Sequence, residues 1–177
     1  MIKILFICHG NICRSPMAEF VMKHLIREAG LADHIRVTSK ALHTDEIGSD
    51  THHGTRAVLD AHAIPYEKRS AALMTRADYD TYDIIIGMDE ENMRDLARLT
   101  GGDPKDKVHR LLSYIGENRD VADPWYTGHF DVTYRDVDAG CRALLADLEK
   151  LFIKQSLPST YYRPWSPPNF LFCKSSP

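Results

Sequence analysis

The residues best suited to chemistry lie in one short stretch, Cys8-His9-Gly10-Asn11-Ile12-Cys13-Arg14-Ser15-Pro16. Cys8 is a candidate nucleophile. Arg14 offers a planar fork that fits two phosphate oxygens. Gly10 lets the backbone approach a ligand closely. Backbone N–H groups of residues 9 to 14, curled inward as a nest, would bind an anion, and the N-terminus of a following helix would add its partial positive charge. That dipole, Arg14 and a hydroxyl such as Ser15 all favour a thiolate at Cys8. A thiolate beneath a bound phosphate is a nucleophile in line with phosphorus. The plainer alternative makes Cys8 and Cys13 small core residues and Arg14 a surface charge. It leaves the joint placement of Cys, Gly, Arg, Ser and Pro without a reason.

Such a loop needs a strand before it and a helix after it. Ile2-Lys3-Ile4-Leu5-Phe6-Ile7 reads as a buried parallel strand. Pro16 to Ala29 carries Met17, Phe20, Val21 and Leu25 at helical spacing, with Ser15 as N-cap, Pro16 at the first helical position and Gly30 as C-cap. Ile35 to Ser39 reads as a second strand, residues 40–50 as a polar loop, and Thr55 to Ala63 as a helix. Tyr82 to Gly87 is the clearest later strand. It leads into a helix over Asp89 to Leu99 that Gly101-Gly102 stops. Lys107 to Leu112 carries a short fourth strand, and Asp131 to Ile153 a long helix whose apolar face includes Val137, Cys141, Leu144, Leu145, Leu148, Leu151 and Phe152. Alternating strands and helices predict an α/β fold, a parallel sheet covered by helices on both faces, with the first loop at its carboxyl edge.

Composition narrows the class. A chain of 177 residues is expected to form one domain with a proper core. A formal charge of -3 argues against a general nucleic-acid-binding surface. The opening apolar run is too short for a signal peptide, and no stretch is long enough to span a membrane. The four cysteines, at 8, 13, 141 and 173, form neither a disulfide framework nor a zinc spacing, which points to a reducing cytoplasm. The nine histidines are scattered, with His52-His53 the one adjacent pair, and read as loop or solvated residues rather than metal ligands.

Expelling a poor leaving group calls for an acid that protonates the departing oxygen. Asp123, in Val121-Ala122-Asp123-Pro124-Trp125-Tyr126, is the candidate, although its sequence context equally suits a turn residue. Pro124 stiffens this loop, and Trp125 and Tyr126 place two large aromatics beside it.

Cys8-x-x-Asn11-x-Cys13-Arg14-Ser15-Pro16 resembles the active-site loop of the low-molecular-weight protein tyrosine phosphatases, and Asp123-Pro124-Trp125-Tyr126 resembles their acid loop, with Trp125 where Tyr is common. The resemblance covers residues 2–153 in order, including Met88-Asp89-Glu90. It implies a single-domain Rossmann-like three-layer fold with a four-stranded parallel sheet, the phosphate-binding loop (His9, Gly10, Asn11, Ile12, Cys13, Arg14 and Ser15) following strand one. It implies Cys8 as nucleophile, Asp123 as general acid and then base, Arg14 and the loop N–H groups as stabilisers of the phosphoryl oxygens, Asn11 as the brace of the loop, and Ser15 as partner of the Cys8 thiolate. Trp125 and Tyr126 would wall a cleft for the substrate ring. No metal or cofactor is implied. The expected partner is a phosphotyrosine protein or a small aryl phosphate, the expected state a monomer or weak dimer, with neither nucleic acid nor membrane bound.

The chain also departs from that pattern. His9 follows the nucleophile where small or apolar residues are commoner, and either tunes Cys8, touches the ligand or faces solvent. Ile12 favours tyrosine-type specificity over the phosphoarginine type, which tends to carry Thr. Asp45 stands near the place of an aromatic wall residue, and Lys68-Arg69-Ser70-Ala71-Ala72 replaces a more basic, Gln-containing segment that braces the loop. In relatives a neighbour such as Cys13 pairs reversibly with the nucleophile; packing is the other role open to it. Residues 154–177, rich in Pro and aromatics and containing Pro164-x-x-Pro167, read as a poorly ordered extension of the 1–153 domain.

Three other functions use similar parts. An arsenate reductase would need relay cysteines, and none lies between Cys13 and Cys141. A phosphorylated carrier has little use for Arg14 and none for Asp123, and a binding module without turnover needs neither Cys8 nor Asp123.

Overall fold

The computed structural model describes residues 1–156; the Pro/aromatic-rich stretch that follows, with its Pro164-x-x-Pro167 signal, lies outside the described residues. Four strands, β1 (Ile2–Cys8), β2 (Ile35–Ala41), β3 (Ile84–Gly87) and β4 (Val108–Arg110), form one parallel sheet in the order β2-β1-β3-β4. The helices are α1 (Arg14–Glu28), α2 (His53–Ala61), α3 (Arg76–Thr81), α4 (Glu90–Thr100), the four-residue α5 (Pro124–Thr127) and α6 (Phe130–Ser156), with a 3-10 turn over Leu111–Ile115. None of the described helices is long and apolar enough to cross a membrane.

The unbroken apolar run of β1 is explained by burial on both faces. Ile4, Phe6 and Cys8 face the layer built by α1, α2 and α6, with Met17, Val21, Leu59, Val137 and Leu144. Leu5 and Ile7 face the opposite layer, with Met74, Tyr79, Ile85 and Leu96 from the side of α3 and α4. The chain moves from β1 outward to β2, then returns across β1 to start β3. The carboxyl ends of β1 and β3 therefore lie side by side at a switch point, where sheets of this kind bind ligands.

The sequence reading of this architecture holds, with local corrections. Helix α1 begins at Arg14, not Pro16, and its N-cap is Cys13 without a side-chain bond, so Ser15 is not the cap. The Ser15 hydroxyl is taken up by Cys8 and Asn11 instead. Strand β4 stops at Arg110, because Leu111 and Leu112 turn into the core, and Gly116 closes that 3-10 turn with φ 75°. Helices α3 and α5 were not expected. The first is fixed by a capping box between Thr75 and Asp78, the second by Asp123 as N-cap and Pro124 at its start. Cys141 is fully buried on α6, as its place in the apolar stripe predicts.

Helix α6 approaches the Leu111 turn at Gly140, where a Cβ would stand 2.6 Å from Leu111 Cγ and 3.2 Å from its carbonyl oxygen. Gly→Ala inside a helix ordinarily stabilises by about 1 kcal/mol. Here overpacking reverses the sign: Gly140→Ala is expected to destabilise by about 1–3 kcal/mol and to lower Tm by about 2–4 °C per kcal/mol in a thermal melt. An unchanged or raised Tm would show that the two elements can separate freely.

Candidate active site

The loop after β1 is held from outside by its carbonyls. Leu42 N–H donates to the oxygens of Cys8 and His9 at 3.1 Å, and His43 N–H also donates to that of His9. Asn11 O accepts from Arg69 Nη1 at 2.9 Å, Ile12 O from His52 N–H at 2.8 Å, and Cys13 O from the Thr55 hydroxyl at 3.3 Å. The described residues contain no cis peptides. In a trans peptide the N–H points opposite to the carbonyl. The N–H groups of His9, Gly10, Ile12, Cys13 and Arg14 are thereby turned to the inner side of the loop, which makes the expected nest.

Asn11 sets the curvature. It lies at φ 59°, in the left-handed region that Asn tolerates better than most residues, and it is fully buried. Its Nδ2 donates to Ser15 Oγ at 2.8 Å and to Ser39 Oγ at 2.9 Å, and its Oδ1 accepts from Arg69 Nη2 at 2.7 Å. Ser39 in turn donates to Glu19 at 2.6 Å. Arg69 thus braces the loop from the segment whose composition departs from the family pattern. Gly10 leaves room for Glu46, since a Cβ there would stand 3.0 Å from Glu46 Cγ and that side chain would have to give way.

Cys8 sits at the end of β1, with its Sγ 3.1 Å from Ser15 Oγ. Cys13 differs: burial, and then the neighbouring Cys8 and Asp123 charges, push its thiol up to about 12, so at neutral pH it is uncharged. Cys8, Cys13 and Cys141 are all unpaired.

Arg14 is 3 % exposed and bound by two carboxylates. Nη1 donates to Asp89 Oδ2 at 2.5 Å and to Val121 O at 3.3 Å, and Nη2 donates to Asp123 Oδ2 at 2.5 Å. Burial opposes the cation, but the Cys8, Asp123 and Asp89 charges outweigh it and hold the guanidinium above its ordinary range. Asp123 uses its other oxygen to cap α5, accepting from Trp125 N–H at 3.0 Å. Thr133 of α6 anchors the same loop by donating to Ala122 O at 3.0 Å.

Cys8, His9, Gly10, Ile12, Cys13, Arg14, Asp45, Asp123, Trp125 and Tyr126 together line one cleft of about 230 Å³, joined by Glu46. Asn11 and Ser15 lie behind it and shape it. Trp125 and Tyr126 are 56 % and 84 % exposed and form the rim, and the Trp125 ring meets the His52 ring edge-on at 5.8 Å. His9 pairs with Asp45 at 3.0 Å and stacks on His43 at 4.1 Å, so it is a rim residue with fixed partners rather than a free loop side chain.

Sequence reasoning did not single out Asp89, His52, Thr55 or His43 for the site. Asp89 had a readable signal: it follows β3 at the switch point and caps α4, accepting from Asn92 N–H at 2.6 Å. The others act through backbone contacts or ring stacking, for which side-chain type gives no cue.

The description "low molecular weight phosphotyrosine protein phosphatase" belongs to the family model that matches residues 3–154. Over 152 residues the chain is 38 % identical to the low molecular weight protein-tyrosine-phosphatase YfkJ of Bacillus subtilis, covering 85 % of this chain and 97 % of that protein. The crystal structure of YfkJ superposes with a TM-score of 0.82 over 85 % of this chain and 96 % of that one, at 37 % identity. PtpA of Staphylococcus saprophyticus, likewise named a low molecular weight protein-tyrosine-phosphatase, is 35 % identical over 146 residues, 82 % of this chain and 92 % of its own. The structure of SP-PTP, the low molecular weight protein tyrosine phosphatase of Streptococcus pyogenes, matches at 36 % identity and a TM-score of 0.77, over 87 % of this chain and 98 % of that one. With a thiol at the base of an inward-facing N–H loop and a matching fold over nearly the whole described chain, this protein belongs to the low molecular weight phosphotyrosine protein phosphatase family.

Proposed function

We propose that the protein hydrolyses phosphotyrosine and small aryl phosphates through a phosphocysteine intermediate, with Cys8 as nucleophile and Asp123 as general acid and then base. The observation that carries this reading is the joint position of Cys8, Arg14 and Asp123 on one cleft, around N–H groups turned inward by the outward ties of their carbonyls.

The phosphoryl oxygens take the loop N–H groups and Arg14, and the incoming dianion competes with Asp123 for that guanidinium. Cys8 sulfur attacks phosphorus, the P–O bond to the aryl group breaks, and the departing oxygen takes a proton from Asp123. Asp123, now a carboxylate, then takes a proton from water as that water attacks phosphorus. The S–P bond breaks, and the thiolate leaves against the Ser15 hydroxyl. Charge is handled by N–H dipoles and Arg14, so the cycle runs without a metal. Ile12 in the lining and Trp125 and Tyr126 at the rim suit a flat aromatic substrate. Cys13 lines the same cleft, consistent with its acting as reversible oxidation partner of Cys8. Three unpaired cysteines among the described residues fit a reducing compartment such as the cytoplasm.

The test is hydrolysis of p-nitrophenyl phosphate and a phosphotyrosine peptide in the presence of chelator. Wild type turns over, Cys8→Ser is inactive and forms no phosphoenzyme, and Asp123→Ala loses about 10²–10⁴ in kcat. Asp123→Ala also depends more steeply on leaving-group acidity. A wild type that binds phosphate without turnover would replace this reading with a carrier or binding role.

Asp89 fixes one edge of Arg14 and touches neither Cys8 nor the acid loop by any hydrogen bond. Asp89→Ala is expected to lower kcat/KM for both substrates by about tenfold, one charge-assisted hydrogen bond's worth. Asp89→Asn, which still accepts from Arg14, should recover most of it. Equal loss in both variants would mean that the charge, not the position of Arg14, is what Asp89 supplies.

A further inference from the structure

At the mouth of the cleft the geometry points to a binding site for a divalent transition-metal ion of the zinc type, formed by His9, His43 and Asp45. Each of the three brings one ligating atom within 4.8 Å of the other two. His9 Nε2 and Asp45 Oδ2 are already 3.0 Å apart. Zinc–nitrogen and zinc–oxygen bonds of roughly 2.1 Å in a tetrahedron put neighbouring ligand atoms about 3.4 Å apart. That pair therefore needs only about 0.4 Å of movement, and the third atom at most about 1.4 Å. The His9 and His43 rings lie stacked at 4.1 Å and 12°, which holds the two imidazoles side by side, and one of them must turn out of the stack to bring its lone pair onto a shared ion.

Three further features favour an ion here. Two imidazoles and one carboxylate suit zinc and its neighbours rather than magnesium or calcium, which take oxygen ligands. His43 Nε2 is held by Asp95 Oδ2 at 2.9 Å, the carboxylate–histidine pairing that orients ligating imidazoles; with the proton on Nε2, Nδ1 keeps its lone pair. Glu91 lies with Asp95 around the same His43, adding negative charge on that side. The side chains of His9, His43 and Asp45 are 40 %, 38 % and 67 % exposed, so an ion reaches them directly from solvent, and three protein ligands leave a position open for water. No ligand spacing in the sequence announces this group, because residue 9 lies at the end of β1 and residues 43 and 45 follow β2; strand pairing brings them together.

His9 and Asp45 also line the cleft, so an ion bound by them stands across the entry. On binding, the ion takes the place of the proton between His9 Nε2 and Asp45 Oδ2, which passes to His9 Nδ1 or to solvent, and the three protein atoms replace water molecules from the ion's hydration shell.

The site is tested with the full chain by titrating Co²⁺, whose visible bands report tetrahedral coordination, followed by competition with Zn²⁺. Measurements cover wild type, Cys8→Ser, His43→Ala and Asp45→Asn. One ion is expected per chain, without a thiolate-to-cobalt charge-transfer band. Binding should persist in Cys8→Ser and weaken at least tenfold in His43→Ala and in Asp45→Asn. Loss of binding in Cys8→Ser would place the ion on the nucleophile and overturn the proposal, as would unchanged affinity in His43→Ala. Circular dichroism confirms that each variant is folded. A second arm rests on the phosphatase reading: Zn²⁺ should inhibit phosphopeptide hydrolysis reversibly, with chelator restoring it, and in His43→Ala the Zn²⁺ concentration for half inhibition, read against that variant's own metal-free rate, should rise at least tenfold. An inactive wild type would remove the phosphatase reading and leave the binding arm to decide the site.

Discussion

A single buried amide side chain carries the shape of the site. Asn11 adopts a left-handed backbone conformation that most side chains resist, and hydrogen bonds to Ser15, Ser39 and Arg69 hold it there. Because Asn11 turns the chain, the carbonyls on either side of it face the surrounding protein and the N–H groups face inward. The inward face of N–H groups proposed to bind the anion is thus a consequence of where the carbonyls are tied. Those ties come from the residues after β2, from the start of α2 and from Arg69, so three otherwise separate segments hold one loop.

Arg14 extends the same logic across the sheet. Its guanidinium joins the carboxylate after β3 to the carboxylate that caps α5, closing the gap between two loops that share no strand. Both pairs are nearly buried at the arginine and partly open at the aspartates. Such a geometry gives orientation more surely than net stability, because desolvation offsets much of the attraction. A planar fork with fixed carboxylates on two sides has little freedom left, and in the proposed reaction it would meet a phosphoryl group already aimed.

The sequence made the shape of the Cys8–Pro16 loop legible because its requirements are local: a strand end, a tight turn and a helix start all fall within that stretch. Asp123 was legible only through the resemblance, since an Asp before a Pro suits any turn, and its use as both cap and Arg14 partner depends on a contact across 109 residues. Ser15 shows the opposite failure. Its type and position satisfied the rules for a helix cap, yet the helix starts two residues earlier than Pro16 and the hydroxyl serves Cys8 and Asn11. Local propensity yielded there to a tertiary hydrogen-bond network. His9 and His43 were readable as residues but not as a pair, because their stacking exists only once β1 and β2 lie in register, Cys8 opposite Ala41.

The order in which the site's parts occur along the chain has a consequence for synthesis. The thiol and Arg14 emerge first from a translating ribosome, and the carboxylate of Asp123 follows more than a hundred residues later. Long-range closure of this kind is slow compared with helix or turn formation. A nascent chain that has made β1 and α1 therefore carries Cys8 and Arg14 before Asp123 and the Trp125–Tyr126 rim exist. The contact of Arg14 with Asp123 can form only after all four strands have been synthesised.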